Sequence, residues 1–247
     1  MSSPSILPLT LNDVCFEAGG KQLIRNLSYR FKAAGRTIIL GPNGAGKSLL
    51  LRLCHGLLHP TSGTIDWQGN EDNPAQHQAM VFQRPVMLRR PVAANIDYAL
   101  SLRGLNQTER RARTREVLER TGLAHLASSP ARVLSFGEQQ KLALARAWAL
   151  HPQVLFLYEP MASLDPSATH AIEEVINAIH AVGTCIIMTT HDLAQARRLA
   201  DEVLFIHHGR LLESGPATPF FNAPANEQAR SFLKGELLWQ NSPETET

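Results

Sequence analysis

The stretch GPNGAGKS at 41–48 has the spacing G-x-x-x-x-G-K-[ST], a pattern suited to holding nucleotide phosphates. It comprises Gly41, Pro42, Asn43, Gly44, Ala45, Gly46, Lys47 and Ser48. Glycines let backbone N–H groups wrap closely around an anion. A helix starting directly afterwards would add the positive end of its dipole. The Lys47 ammonium suits the β- and γ-phosphates, and the Ser48 hydroxyl suits Mg2+. Alone, the loop specifies a nucleoside triphosphate and no more.

Five further stretches follow in order. They are Gln83 in VFQRP, LSFGEQQ at 134–140, Glu159 in VLFLYEP, Asp165 in SLDP, and His191 directly after TCIIMTT. Each has a plain reading of its own. Gln83 can be a polar strand end. Ser135 can be a helix N-cap, with Glu138 three residues on completing a capping box and Gly137 between them. Asp165 can cap a helix whose first turn holds Pro166. His191 can be structural. Their order and company favour function. Phosphoryl transfer to water needs charge neutralisation, a cation and a positioned nucleophile. Lys47 and Ser48 with Mg2+ would supply the first two.

The elements that must position these residues alternate between strand and helix. LTLNDVCFE and LIRNLSYRF flank the turn Gly19-Gly20 and read as an antiparallel pair. RTIIL leads into the glycine loop, and SLLLRLCHGLL after it has helical spacing. GTIDWQG and QAMVFQ read as strands, the second ending at Gln83. From Pro91 to about Thr121 the pattern is helical and charged, and another helix follows Leu134-Ser135. VLFLY and TCIIMTT are strands around a helix that runs from Asp165 to Gly183. EVLFIHHG and RLLESG form a hairpin, and the tail from Pro219 is helical and frays after Trp239. Such alternation implies an α/β fold with a mostly parallel sheet core. It carries an N-terminal antiparallel β subdomain and an inserted helical subdomain. We expect one domain over 1–247: a nucleotide-binding core from about 1–85 and 151–240, a helical subdomain at 86–150, and a polar tail at 241–247.

Composition is that of a globular protein, 44% hydrophobic and 19% charged with net charge +2, which excludes disorder as the general state. No apolar run approaches the roughly 20 residues of a membrane span, and the start lacks the pattern of a signal peptide. Cys15, Cys54 and Cys185 show no metal-ligand spacing and read as small buried side chains. Between Arg84 and Ala147 twelve Lys or Arg face five Asp or Glu, including RRARTR at 110–115. A solvated helix face is the first reading of that run, with a nucleic-acid patch or an anionic membrane surface as alternatives.

Taken together, these motifs resemble the ATP-binding subunits of ABC transporters, from about Leu9 to Leu238. The resemblance implies a P-loop NTPase fold of RecA-like type, with ATP and Mg2+ as cofactors. It implies that Gln83 senses Mg2+ and the attacking water and leads into the membrane-subunit contact. Ser135, Gly137 and Glu138 belong to the signature sequence, which closes over ATP held by a second copy in a head-to-tail dimer. Glu159 matches the general base, Asp165 the loop linking the two ATP sites, and His191 the switch histidine at the γ-phosphate. The implied partners are an integral membrane permease and, indirectly, an extracytoplasmic solute-binding protein, with no nucleic acid. The implied place is the cytoplasmic face of the membrane. The stretches 81–100 and 216–237 most resemble ATPases of oxyanion importers, tungstate above all. Alternatives are an importer ATPase for another small solute and a nucleotide-binding regulatory subunit with impaired hydrolysis. A soluble ABC ATPase acting on DNA or ribosomes is disfavoured by the single cassette.

Three positions depart from the family pattern. Phe136 stands where a signature glycine is usual. Ala18 stands where an aromatic stacks on adenine, with Phe16 two residues earlier as a partial substitute or a core residue. Tyr158 stands where an aspartate holds Mg2+. A phenol has a reference pKa of about 10 and brings no charge at neutral pH. We therefore expect ATP binding with weaker Mg2+ retention, slower hydrolysis and looser base selectivity.

Overall fold

A computed structural model of the chain describes residues 5–68 and 73–236. The expected polar tail at 241–247 and the fraying after Trp239 lie outside these residues. The first part of the chain forms β1 (Leu9–Ala18), β2 (Lys21–Phe31), β3 (Arg36–Leu40), α1 (Lys47–His55), β4 (Ser62–Trp67) and β5 (Gln78–Val81). Three helices follow, α2 (Val92–Ser101), α3 (Gln107–Arg120) and α4 (Phe136–Trp148). The remainder is β6 (Val154–Tyr158), α5 (Pro166–Ala181), β7 (Cys185–Thr189), α6 (Leu193–Leu199), β8 (Glu202–His207), β9 (Arg210–Pro216), α7 (Ala217–Asn222) and α8 (Glu227–Leu233).

A six-stranded sheet has the order β5-β6-β7-β3-β8-β9. All neighbours in it are parallel except β8 and β9. Its inner strands are short apolar runs because both faces are covered. Successive side chains point to opposite faces. Leu155 and Leu157 join the cluster formed with α2 to α7, while Val154 and Phe156 join the one beneath α1 and the second sheet. That second sheet is antiparallel, ordered β2-β1-β4, so β4 completes a trio around the expected pair.

Strand order reverses beside β3, which has β7 on one side and β8 on the other. Ligands of open α/β sheets bind outside the carboxyl ends of the strands at such a point. The loops at 41–46, 82–86, 159–165 and 190–192 leave the carboxyl ends of β3, β5, β6 and β7. Parallel pairing therefore brings all four to one edge.

Two expectations need correction. The strand QAMVFQ ends at Val81, not Gln83. Val81 is the last residue to pair with β6, at Leu157, and Phe82 is exposed. The helical stretch from Pro91 to Thr121 is two helices. Gly104 adopts φ +71°, and Asn106 starts α3 with a capping box to Glu109.

The β8–β9 turn braces the phosphate loop. Gly209 N–H donates to the Ala45 carbonyl at 3.0 Å, and Arg25 N–H donates to the Gly209 carbonyl at 2.8 Å. Gly209 has φ +74°, and a Cβ there would meet the Leu23 carbonyl oxygen at 2.3 Å. Gly209→Ala should therefore destabilise the fold by about 2 kcal/mol or more, read by urea denaturation.

Candidate functional site

The phosphate loop is shaped by backbone crowding. Gly41 has φ +149°, and a Cβ on it would lie 2.1 Å from the Ile206 carbonyl oxygen. Gly46, at φ +102°, would press a Cβ to 2.8 Å from Ile24 Cδ1. Only glycine lets the chain pass between β8 and β2 here. Gly44 differs, since nothing lies within 4 Å of a Cβ built there and its outer side is open. Lys47 and Ser48 are the first two residues of α1, whose first turn holds no acidic residue. An anion is thus favoured at this helix end.

Lys47 is buried, and its Nζ donates to the Gly41 carbonyl at 2.7 Å and the Pro42 carbonyl at 2.9 Å. Burial lowers its pKa, and the Glu159 carboxylate opposes that shift. Glu159 follows β6 with φ +43°, a conformation uncommon for a non-glycine residue. Its N–H is held by the Thr189 carbonyl at 3.1 Å and by Thr189 Oγ1 at 3.3 Å. Its Oε2 lies 3.1 Å from His191 Nδ1. A carboxylate only accepts, so the ring donates at Nδ1. The Glu159 side chain is 12% exposed and that of His191 61%. A cleft of about 740 Å3 between α5 and α6 opens beside this pair.

Other expected site residues bond to partners outside the phosphate loop. Ser135 caps α4 and shares a capping box with Glu138, whose carboxylate accepts from the Ser135 hydroxyl at 2.7 Å. That bond, and a second from the Ser135 N–H, hold the Glu138 carboxyl below the usual carboxylate range. Asp165 caps α5, accepting from Ala168 N–H at 2.9 Å. None of these bonds reaches 41–48. Gly137 faces α5 instead, and a Cβ on it would lie 3.1 Å from Ala168 Cβ. Phe136 is 36% exposed beside it. Gln83 is half-buried in the loop after β5.

Two residues that the sequence reading passed over hold that loop. Gln140 of α4 is fully buried and donates to the Phe82 carbonyl at 3.4 Å, and Arg146 donates to the Val86 carbonyl at 2.9 Å. Both lie on α4, the helix that Ser135 caps, so α4 ties the 82–86 loop to the 134–138 stretch.

Mg2+ takes a near-octahedral oxygen shell, and proteins hold it through one or two carboxylates plus substrate phosphates. Ser48 and Gln83 offer neutral oxygens. Tyr158 is half-buried on the α1 face, paired with Thr189, and its hydroxyl makes no hydrogen bond among the described residues. No group of three His, Cys, Asp or Glu suited to a metal occurs among the described residues. These donors fit a cation that arrives with nucleotide phosphates. At the base side, Ala18 is exposed, whereas Phe16 packs on the cluster beneath α1.

The profile described as "ABC transporter" matches residues 24–162, more than half of the chain. The chain belongs to the ABC transporter family. It is an ATP-binding protein and an ATPase of that family. It is 38% identical over 224 residues to a phosphate import ATP-binding protein of Natronomonas pharaonis, covering 83% of this chain and 79% of the relative. It is 36% identical over 217 residues to the tungstate uptake system ATP-binding protein TupC of Peptoclostridium acidaminophilum, covering 87% and 100%. Among solved structures, cbiO1 of Clostridium perfringens, part of the ABC transporter complex cbiONQ, superposes with TM-score 0.80 at 28% identity. That match covers 90% of this chain and 92% of cbiO1. No helix among the described residues is long and apolar enough to cross a membrane.

The close Gly137–Ala168 packing is open to a double-mutant cycle. Gly137→Ala should cost up to about 1 kcal/mol in the native chain and less when Ala168 is already glycine, measured by denaturation.

Proposed function

We propose that this chain is the ATP-hydrolysing subunit of an importer, and that its cargo is an inorganic oxyanion such as tungstate. The observation that carries the reading is the meeting of the 41–48 loop, Glu159 and His191 at one sheet edge, with the last two 3.1 Å apart. Curated relatives import phosphate, tungstate, methionine and ferric ions. The oxyanion reading rests on the similarity to TupC and to the phosphate protein. The chain works at the cytoplasmic face of the membrane, bound to a permease that an external solute-binding protein loads.

The loop N–H groups and Lys47 hold the phosphates, and Lys47 leaves the Gly41 and Pro42 carbonyls to do so. Ser48 and Gln83 would hold Mg2+, which would supply charge neutralisation on the phosphoryl oxygens. Glu159 accepts a hydrogen bond from the attacking water and draws its proton. His191, oriented by the same carboxylate, contacts the γ-phosphate. Ser135, Gly137 and Glu138 act on ATP bound by a second copy, which fits the lack of any hydrogen bond between them and this chain's own loop among the described residues. Asp165 lies in the segment joining the two sites. We assign the core to 1–85 and 151–240 and the inserted subdomain to 86–150. The permease meets the groove of about 340 Å3 lined by Phe82, Pro85, Val86, Ala99 and Arg146. Phe82 and Val86 are exposed apolar side chains there, as an interaction site requires.

Tyr158 sets the rate in this scheme. Without a carboxylate the cation is held less firmly. In the assembled transporter, Tyr158→Asp should raise Mg2+-dependent turnover about tenfold or more and lower the Mg2+ concentration for half-maximal rate. Glu159→Gln should keep ATP binding and stop hydrolysis. A fast native enzyme unaffected by Tyr158→Asp would refute the metal-site reading, and absence of turnover in all three chains would favour a regulatory subunit. Ala18→Tyr should tighten ATP binding about tenfold by stacking and sharpen base selectivity, read with fluorescent nucleotide analogues.

A further inference from the structure

In the proposed reaction His191 points two ways, toward Glu159 and toward the γ-phosphate. Its side chain is 61% exposed, and the Glu159 carboxylate is its one hydrogen-bond partner among the described residues. Packing does not aim so open a ring. Its direction comes from the backbone that carries it, the corner at 190–192 between β7 and α6. Thr190 and Gln195 are both buried beside that corner. Asp192 N–H donates to Thr190 Oγ1 at 3.1 Å. The hydroxyl proton of Thr190 in turn goes to Gln195 Oε1 at 3.0 Å. His191 lies between the two residues joined in this way. The helix that carries Gln195 is anchored independently. Ala196 and Leu199 are buried in the larger apolar cluster. Arg198 makes a bidentate pair with the buried Glu173 of α5, at 2.6 and 3.0 Å. Gln195 therefore reaches the corner from a fixed base.

Starting α6 needs only Asp192, whose Oδ1 accepts from the N–H groups of Ala194 and Gln195 at 2.8 and 3.1 Å. The bond between Thr190 and Gln195 is not part of that cap. What it constrains is the turn of the chain at His191. We propose that Gln195 is a positioning residue for ATP hydrolysis, holding through the Thr190 hydroxyl the corner that aims His191. The inference rests on the assignment of His191 to the γ-phosphate. Misplacing a reacting group by about 1 Å can cost about a hundredfold in rate, whereas phosphate binding rests on the 41–48 loop. The effect therefore falls on kcat and spares KM. Residue 195 has only to accept a hydrogen bond, so a carboxylate serves as an amide does.

In the assembled transporter, Gln195→Leu should lower kcat about tenfold and leave KM for ATP within about twofold. Gln195→Glu should restore most of the rate. Thr190→Val should cost at least as much as Gln195→Leu, and the double substitution no more than Thr190→Val alone, since the two share one bond. A second readout needs no turnover. In the full chain, NMR of the His191 ring nitrogens should show the proton fixed on Nδ1, the signal being identified by its loss in His191→Asn. Gln195→Leu should shift it toward a mixture of both nitrogens. A Gln195→Leu chain that melts earlier, with kcat and the His191 signal unchanged, would overturn the proposal. So would equal losses of rate in Gln195→Leu and Gln195→Glu. A native chain without turnover, whose His191 signal still responds to Gln195→Leu, would keep the positioning role and refute the hydrolysis reading instead.

Discussion

The hydrogen bond from Glu159 N–H to the Thr189 carbonyl, 3.1 Å long, continues the β6–β7 ladder one residue past its last pair. It pins Glu159 in a left-handed conformation and fixes where the acidic side chain emerges. His191, two residues beyond Thr189, then meets that carboxylate. The phosphate loop obeys the same register, because β3 pairs with β7. A one-residue slip between these strands would turn every side chain to the opposite face. The chemistry therefore depends on sheet register first and on loop detail second. Both apolar clusters enforce that register, since each alternate residue of β6 and β7 is buried in one or the other.

Much of this was legible in the sequence. Short apolar runs punctuated by glycine gave the parallel strands, and Asp165-Pro166 and Ser135 with Glu138 gave helix starts that occur where read. What escaped was set by tertiary contact. The capping box of α3 is written in Asn106 and Glu109, but the surrounding charged pattern masks it. The end of β5 depends on where its pairing with β6 stops, at Val81 and Leu157, which a local pattern does not carry. Gln140 and Arg146 looked like ordinary helix residues until the loop they grip came into view. Phe16 had two readings, an adenine-side aromatic or a core residue, and it packs on the cluster beneath α1.

Tyr158 shows how a substitution can be silent for folding. The position belongs to a strand, where an aromatic side chain is favoured, and the α1 cluster accommodates the ring. The change is confined to the charge presented at the strand end. The scaffold and the active chemistry can thus vary separately at this residue, which stability alone would not detect.

The Lys47 ammonium carries a further consequence. It is already coordinated by the carbonyl oxygens of Gly41 and Pro42. A phosphate reaching it does not rescue a bare buried cation but competes with the loop's own backbone. Nucleotide capture at this point is an exchange of oxygen for oxygen. Its net gain is a difference between two similar coordination shells, and the released carbonyls must find donors of their own.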